Sequence, residues 1–194
     1  MDGEDKLLLP VQGTPLVRRT FLALREAGLD PVVVTGHRPD RIHAILNDLR
    51  ITFAHNPDYA RGQQSSVLIG LAAVPTGVDA VIVALADLPL LSAADIRLLM
   101  QAYGSRAPGR AILVPVHQGV RGNPVIFDSA LIPDILTGSR NDPVGTGRNG
   151  ARAYIDRHPH LVQWLETPND AFCIDLDTRE DLEALRVRLD AEPH

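Results

Sequence analysis

Two short acidic stretches hold the side chains best placed for chemistry. In "ALADLPLLS", Ala84 to Ser92, the apolar run Val81-Ile82-Val83 leads into Asp87, and Pro89 stops any strand from continuing. A carboxylate at the carboxyl end of a strand can hold a divalent cation that bridges phosphate oxygens. It could equally cap or brace the following turn. The second stretch is "CIDLDTREDL", Cys173 to Leu182, where Asp175 and Asp177 alternate with Ile174 and Leu176. Strand periodicity predicts both carboxylates on one face, where they would complete a metal site with Asp87 if that strand lies beside it. "DTRED" also reads as an N-cap and acidic first turn for the last helix, and spacing alone favours that role for Asp177.

Polar residues suited to ligands lie between these stretches. In "YARGQQSSVLIGL", Gly62 permits close backbone approach, and Gln63, Gln64, Ser65 and Ser66 offer donors and acceptors at a helix N-terminus. Such a loop could read a base edge or a ribose, or simply start a capped helix. In "HQGVRGNPVIF", Arg121 stands between Gly119 and Gly122, followed by Asn123 and Pro124. Its guanidinium could grip a phosphate with two hydrogen bonds, or the stretch could be a solvated hairpin turn. The polar run from Ser139 to Tyr154 places Arg148, Asn149 and Arg152 near a helix start, an arrangement suited to an anion or to a simple loop.

Short apolar strands alternating with amphipathic helices would position these residues, the pattern of a mainly parallel sheet covered on both faces. Thr14 is expected to cap a helix with Pro15 in its first turn, running along Leu16, Phe21 and Leu24 to a stop at Gly28. Strands are predicted at Pro31 to Thr35, Ile51 to Ala54, Ala80 to Leu85, Ala111 to Val116 and Pro124 to Phe127, with Cys173 in a further strand-like stretch. Helices are predicted at Asp40 to Leu49, from Ser65 through Ala73, from the Ser92/Asp95 capping box to Tyr103, and at Gly150 to His158 and Thr178 to Leu189.

The 194 residues, 45% hydrophobic and 22% charged, suffice for one domain with a full core. Net charge is −5 with scattered Lys and Arg, which argues against a nucleic-acid or anionic-membrane partner. One cysteine makes no disulfide framework, and no apolar run approaches a membrane span. An acidic start, Met1-Asp2-Gly3-Glu4-Asp5, is unlike a signal peptide. A cytoplasmic protein is expected.

Six stretches together, "KLLLPVQGTPLVRRTF", "RGQQSSVLIGL", "VALADLPLLS", "PVHQGVRGNPVIF", "NGARAYIDRHP" and "IDLDTREDL", resemble the molybdenum cofactor cytidylyltransferases of the MobA-like nucleotidyltransferase group. The resemblance covers nearly the whole chain in the family's order. It implies a three-layer Rossmann-like fold of the GT-A-like kind and one nucleotidyltransferase domain over residues 1–194. The implied reaction transfers CMP from CTP to a molybdopterin-type molybdenum cofactor with Mg²⁺, releasing pyrophosphate.

By the same resemblance, Lys6 closes the phosphate loop and is catalytic together with Asp87. Asp87 and Asp177, with Asp175 as neighbour, hold the metal. Gly62, Gln63, Ser65 and Ser66 line the nucleotide pocket, and Arg121, Gly122, Asn123 and Pro124 face the acceptor. A molybdoenzyme maturation factor is a further partner that the family suggests. The departure is at the start: only Gly3-Glu4-Asp5-Lys6 matches the tail of the family's glycine-rich phosphate loop. Relative to the family the chain is truncated, and the absent strand would be central, leaving neighbouring strand edges exposed. A non-catalytic nucleotide- or cofactor-binding relative, or a transferase using GTP or another phosphate acceptor, is the alternative reading.

Overall fold

The computed structural model describes residues 5–140 and 150–191. In chain order the elements are β1 (Pro10–Val11), β2 (Thr14–Pro15), α1 (Leu16–Glu26), β3 (Val32–Thr35), α2 (Pro39–Leu46), β4 (Thr52–His55), α3 (Gln63–Ala72), β5 (Ala80–Val83), α4 (Ala93–Gly104), β6 (Ile112–His117), β7 (Val120–Arg121), β8 (Val125–Asp128), α5 (Ile132–Arg140), α6 (Ala151–Arg157), β9 (Val162–Glu166) and α7 (Arg179–Ala191).

The period of two in the strands builds the layers. On β5, β6 and β8, Val81, Ile112, Val114, Val125 and Phe127 face one cluster that also takes Leu71 of α3, Ile135 of α5 and Tyr154 and Ile155 of α6. The intervening Ile82, Leu113 and Ile126 face a second cluster with Ala23 and Leu24 of α1 and Ile96 and Leu99 of α4. Helices therefore cover both faces, as expected of this α/β class. The sheet is mixed rather than mainly parallel. β8 runs antiparallel between β5 and β6, and β9 is parallel to β6 on its other side.

The parallel pair β3–β4 shares no strand hydrogen bonds with this sheet among the described residues. It is held laterally by helices. Val33 packs with Val17 and Phe21 of α1 and Ile42 and Leu46 of α2, and Val34 lies against Gly70 of α3. β3 and β5 thus each pair along a single edge.

Several sequence expectations change. Thr14 and Pro15 form β2, paired with Val11 and Pro10, so Thr14 does not cap α1; Pro15 occupies the cap position without a side-chain bond. The stretch Cys173 to Asp177 is not a strand: the one backbone bond it makes to a neighbouring segment, Leu176 N to Asp87 O, stands alone rather than in a ladder. The β1–β2 hairpin, the short strand β7, the helix α5 and the edge strand β9 are additional. The capping box Ser92/Asp95 is present at α4. Among the described residues no helix is long and apolar enough to cross a membrane.

Candidate active site

Asp87 is positioned by the helix that packs beneath its turn. Arg19 Nε donates to Pro89 O (3.0 Å), and Thr20 Oγ1, which shares its one hydrogen between Leu16 O (3.2 Å) and Ala86 O (3.4 Å), lies against the other side, so α1 flanks the turn on both sides of the carboxylate. Asp87 O accepts from Leu176 N (3.0 Å), which brings the segment carrying Asp175 and Asp177 alongside. Leu176 is buried among Val11, Leu16, Leu182 and Leu185, while Asp175 and Asp177 on either side of it are exposed. The alternation expected of a strand therefore survives in an extended segment without a ladder.

Neither carboxylate side chain serves as a cap. Thr178 Oγ1 accepts from Asp181 N (3.1 Å), and Asp181 Oδ2 accepts from Thr178 N (2.7 Å) and Asp177 N (3.0 Å). This reciprocal cap occupies Thr178 and Asp181, leaving the Asp177 side chain outside the helix start. Asp87 caps nothing either: its Oδ2 accepts from Lys6 Nζ at 2.9 Å, and its Oδ1 is buried without a partner.

Lys6 joins these groups from a 3₁₀ turn, Lys6–Leu8, whose leucines pack against Val17 and Phe21 of α1. Its ammonium donates to Asp177 as well as to Asp87. Burial alone would lower its pKa, but the bonds to Asp177 and Asp87 outweigh that and hold it raised. Asp175 makes no such bond. Neighbouring protein atoms that thin the water around it, then the charges of Asp177 and Asp87, push its carboxyl up. Among the described residues no three His, Cys, Asp or Glu side chains are arranged to hold a metal. Two carboxylates converging on one cation, with an orphaned oxygen on Asp87, nevertheless suit Mg²⁺, which is bound by one or two carboxylates plus substrate phosphates.

The residues expected to bind nucleotide gather at the start of α3. Gly62 has φ +100°, a conformation favouring glycine, and Gln63 is exposed. Ser65 and Ser66 both accept from Asn56 Nδ2, at 2.8 and 2.9 Å. Gln64 Oε1 is buried without a partner, pressed against Gly150, where an added Cβ would lie 2.3 Å from it. Asn56 was not singled out in the sequence; the available signal was a small amide directly after a strand and before Pro57.

The residues expected to face the acceptor lie on β7 and in the turn from it into β8. Arg121 is paired with Asp156 of α6 and lies over the Trp164 ring of β9, 4.9 Å from its centre, so it is not a free turn arginine. Gly122 packs where a Cβ would stand 2.6 Å from Phe172 O, and Asn123 N donates to that oxygen (2.8 Å). Pro124 is buried after a cis bond. No hydrogen bond or ion pair joins the Lys6, α3 and Arg121 groups to one another among the described residues. Arg148 and Asn149 lie outside them, and Arg152 is exposed on α6.

Known proteins agree with this architecture. The chain is 28% identical over 188 residues, 96% of its length and 89% of the relative's, to the molybdenum cofactor cytidylyltransferase of Escherichia coli (strain K12). It is 30% identical over 186 residues, 91% of its length and 85% of the relative's, to a nicotine blue oxidoreductase of Paenarthrobacter nicotinovorans. A solved nucleotidyl transferase from Methanothermobacter thermautotroptrophicus superposes with a TM-score of 0.76 at 24% identity, covering 96% of this chain and 86% of that one. Residues 1–162 match the MobA-like NTP transferase domain, and with this fold and this site the chain belongs to that family of nucleotidyltransferases.

Proposed function

We propose that this chain transfers CMP from CTP to the terminal phosphate of a molybdopterin-type molybdenum cofactor. The observation that carries the reading is the convergence of Lys6, Asp87 and Asp177 beyond the carboxyl end of β5. An oxygen of the acceptor phosphate attacks the α-phosphorus in line. The new P–O bond forms as the bond to the β-phosphate oxygen breaks, and pyrophosphate leaves with that electron pair. Such a reaction requires positioning and charge neutralisation more than acid–base chemistry.

In this reading Asp87 and Asp177 hold Mg²⁺, which when bound supplies charge neutralisation at the nucleotide phosphates. Lys6 donates to a phosphate oxygen. Gly62, Gln63 and Ser66 face the nucleoside, with Ser65 beside them in the pocket wall closing the loop through Gly62 O, and Arg121 with the Gly122–Pro124 backbone faces the acceptor. Asp175 shares the field of the two carboxylates without a ligand role. A maturation factor that receives the finished cofactor is a further proposed partner.

The test is pyrophosphate release from Mg·CTP and from Mg·GTP with the molybdenum cofactor as acceptor, for the parent and Asp87→Asn. CTP-dependent release that Asp87→Asn abolishes, with the melting temperature kept, is the expected result, since Asn retains the shape and removes the charge. Equal or faster release from GTP overturns the cytidylyl assignment. Unchanged turnover in Asp87→Asn overturns the metal role of Asp87.

A further inference from the structure

Asn56 is 1% exposed, one of the few buried polar side chains of the described core, and every polar atom of its side chain is engaged. Its Oδ1 accepts from Asp58 N at 3.0 Å. A backbone N–H can only donate, so this bond fixes the amide orientation and turns the NH₂ group toward Ser65 and Ser66. Its own N–H donates to Thr35 O (2.8 Å), which ties the residue to the end of β3.

The consequence for the two hydroxyls is different. Both oxygens accept from Asn56, so each must send its own hydrogen elsewhere. Ser65 Oγ donates to Gly62 O (2.7 Å), with Asp58 O as a longer alternative at 3.2 Å. Its hydrogen closes the loop between β4 and α3. Ser66 Oγ has no acceptor among the described residues, and Ser66 is only partly buried.

We infer that Asn56 is a positioning residue that sets the hydrogen-bond polarity of the serine pair, so that Ser66 alone presents a hydrogen to an acceptor atom of the bound nucleoside while Ser65 is structural. The inference rests on the proposal that a nucleotide binds beside α3 and names which group reads it. Asn56→Asp inverts the arrangement at nearly constant shape. Asp still accepts from Asp58 N, but both serines must now donate to it, and Ser66 turns its lone pairs to the ligand.

The experiment is calorimetric titration of Mg·CTP into the parent, Ser65→Ala, Ser66→Ala, Asn56→Asp and the double variant Asn56→Asp/Ser66→Ala, with melting temperatures alongside. Ser66→Ala is expected to bind about tenfold more weakly, the scale of one lost hydrogen bond, with little change in melting temperature. Ser65→Ala shows the reverse, a lower melting temperature and nearly parental affinity. Asn56→Asp loses as much affinity as Ser66→Ala, and the double variant loses no more than either, because both remove the same donor. Parental affinity in Ser66→Ala, or additive losses in the double variant, overturns the inference while leaving the proposed activity standing. If Asn56→Asp does not fold, the contrast between the two alanine variants decides. A parent that binds neither CTP nor GTP overturns both readings.

Discussion

Lys6 Nζ lies 2.9 Å from Asp87 Oδ2 across 81 residues of sequence, and the same nitrogen donates to Asp177. The chain thereby places its own cation between the two carboxylates that would hold a metal. A divalent ion that takes these oxygens must displace the ammonium, which can then turn to the phosphates.

Lys6→Gln is accordingly expected to change two affinities in opposite directions. With no nucleotide present, Mn²⁺ binding followed by electron paramagnetic resonance should tighten by about threefold, the scale of one partly exposed ion pair. Mg·CTP binding should weaken, since a positive charge near the phosphates is lost. Weaker Mn²⁺ binding in Lys6→Gln would show instead that the ammonium supports the metal site by holding the carboxylates in place.

Asp156 engages one nitrogen of the Arg121 guanidinium and so competes with any acceptor phosphate for its charge. Asp156→Asn should therefore lower the KM for the molybdenum cofactor, and Arg121→Ala should raise it by about tenfold or more, the range of a charge-assisted hydrogen bond. The KM for CTP should stay unchanged in both. Stability should move little, because the two side chains are 44% and 51% exposed and such pairs contribute under about 1 kcal/mol. Trp164 is the chain's single tryptophan, so its fluorescence reports directly on loss of the overlying guanidinium. Unchanged acceptor KM in both variants would make Arg121 a clasp between β7 and α6.

Asp170 accepts two bonds from Arg188, at 2.7 and 2.9 Å, which fasten α7 to the turn before the acidic segment. The Arg188 bonds hold its carboxyl below the ordinary 3.8. A depressed carboxyl stabilises the fold above the unfolded-state value and loses that contribution as pH falls through the folded-state value. Asp170→Asn should lower the melting temperature at neutral pH by an amount that shrinks below about pH 4. Thermal scans of both proteins at neutral and acidic pH check this. A difference independent of pH would assign the effect to packing rather than charge.

Local chemistry in the chain was enough to mark β5, β6 and β8, the Ser92/Asp95 cap and the polar start of α3, because a strand's two-residue period and a cap's three-residue spacing are written in neighbouring residues. The acidic residues were equally visible, but their roles were not. Whether Asp177 caps α7 depended on Thr178 and Asp181 satisfying each other, and whether it meets Asp87 depended on the Leu176 N–H reaching Asp87 O. The same holds for Arg121, whose partners Asp156 and Trp164 come from other elements, and for Asn56, whose importance arises from two hydroxyls on a helix it does not belong to. α5 was hidden by its Thr137-Gly138-Ser139 run of weak helix formers, and it holds through Ile135 buried against the sheet. The antiparallel course of β8 was illegible for a related reason: strand direction is decided by which edge offers free backbone groups when the chain returns, a property of the assembled sheet and of no single segment.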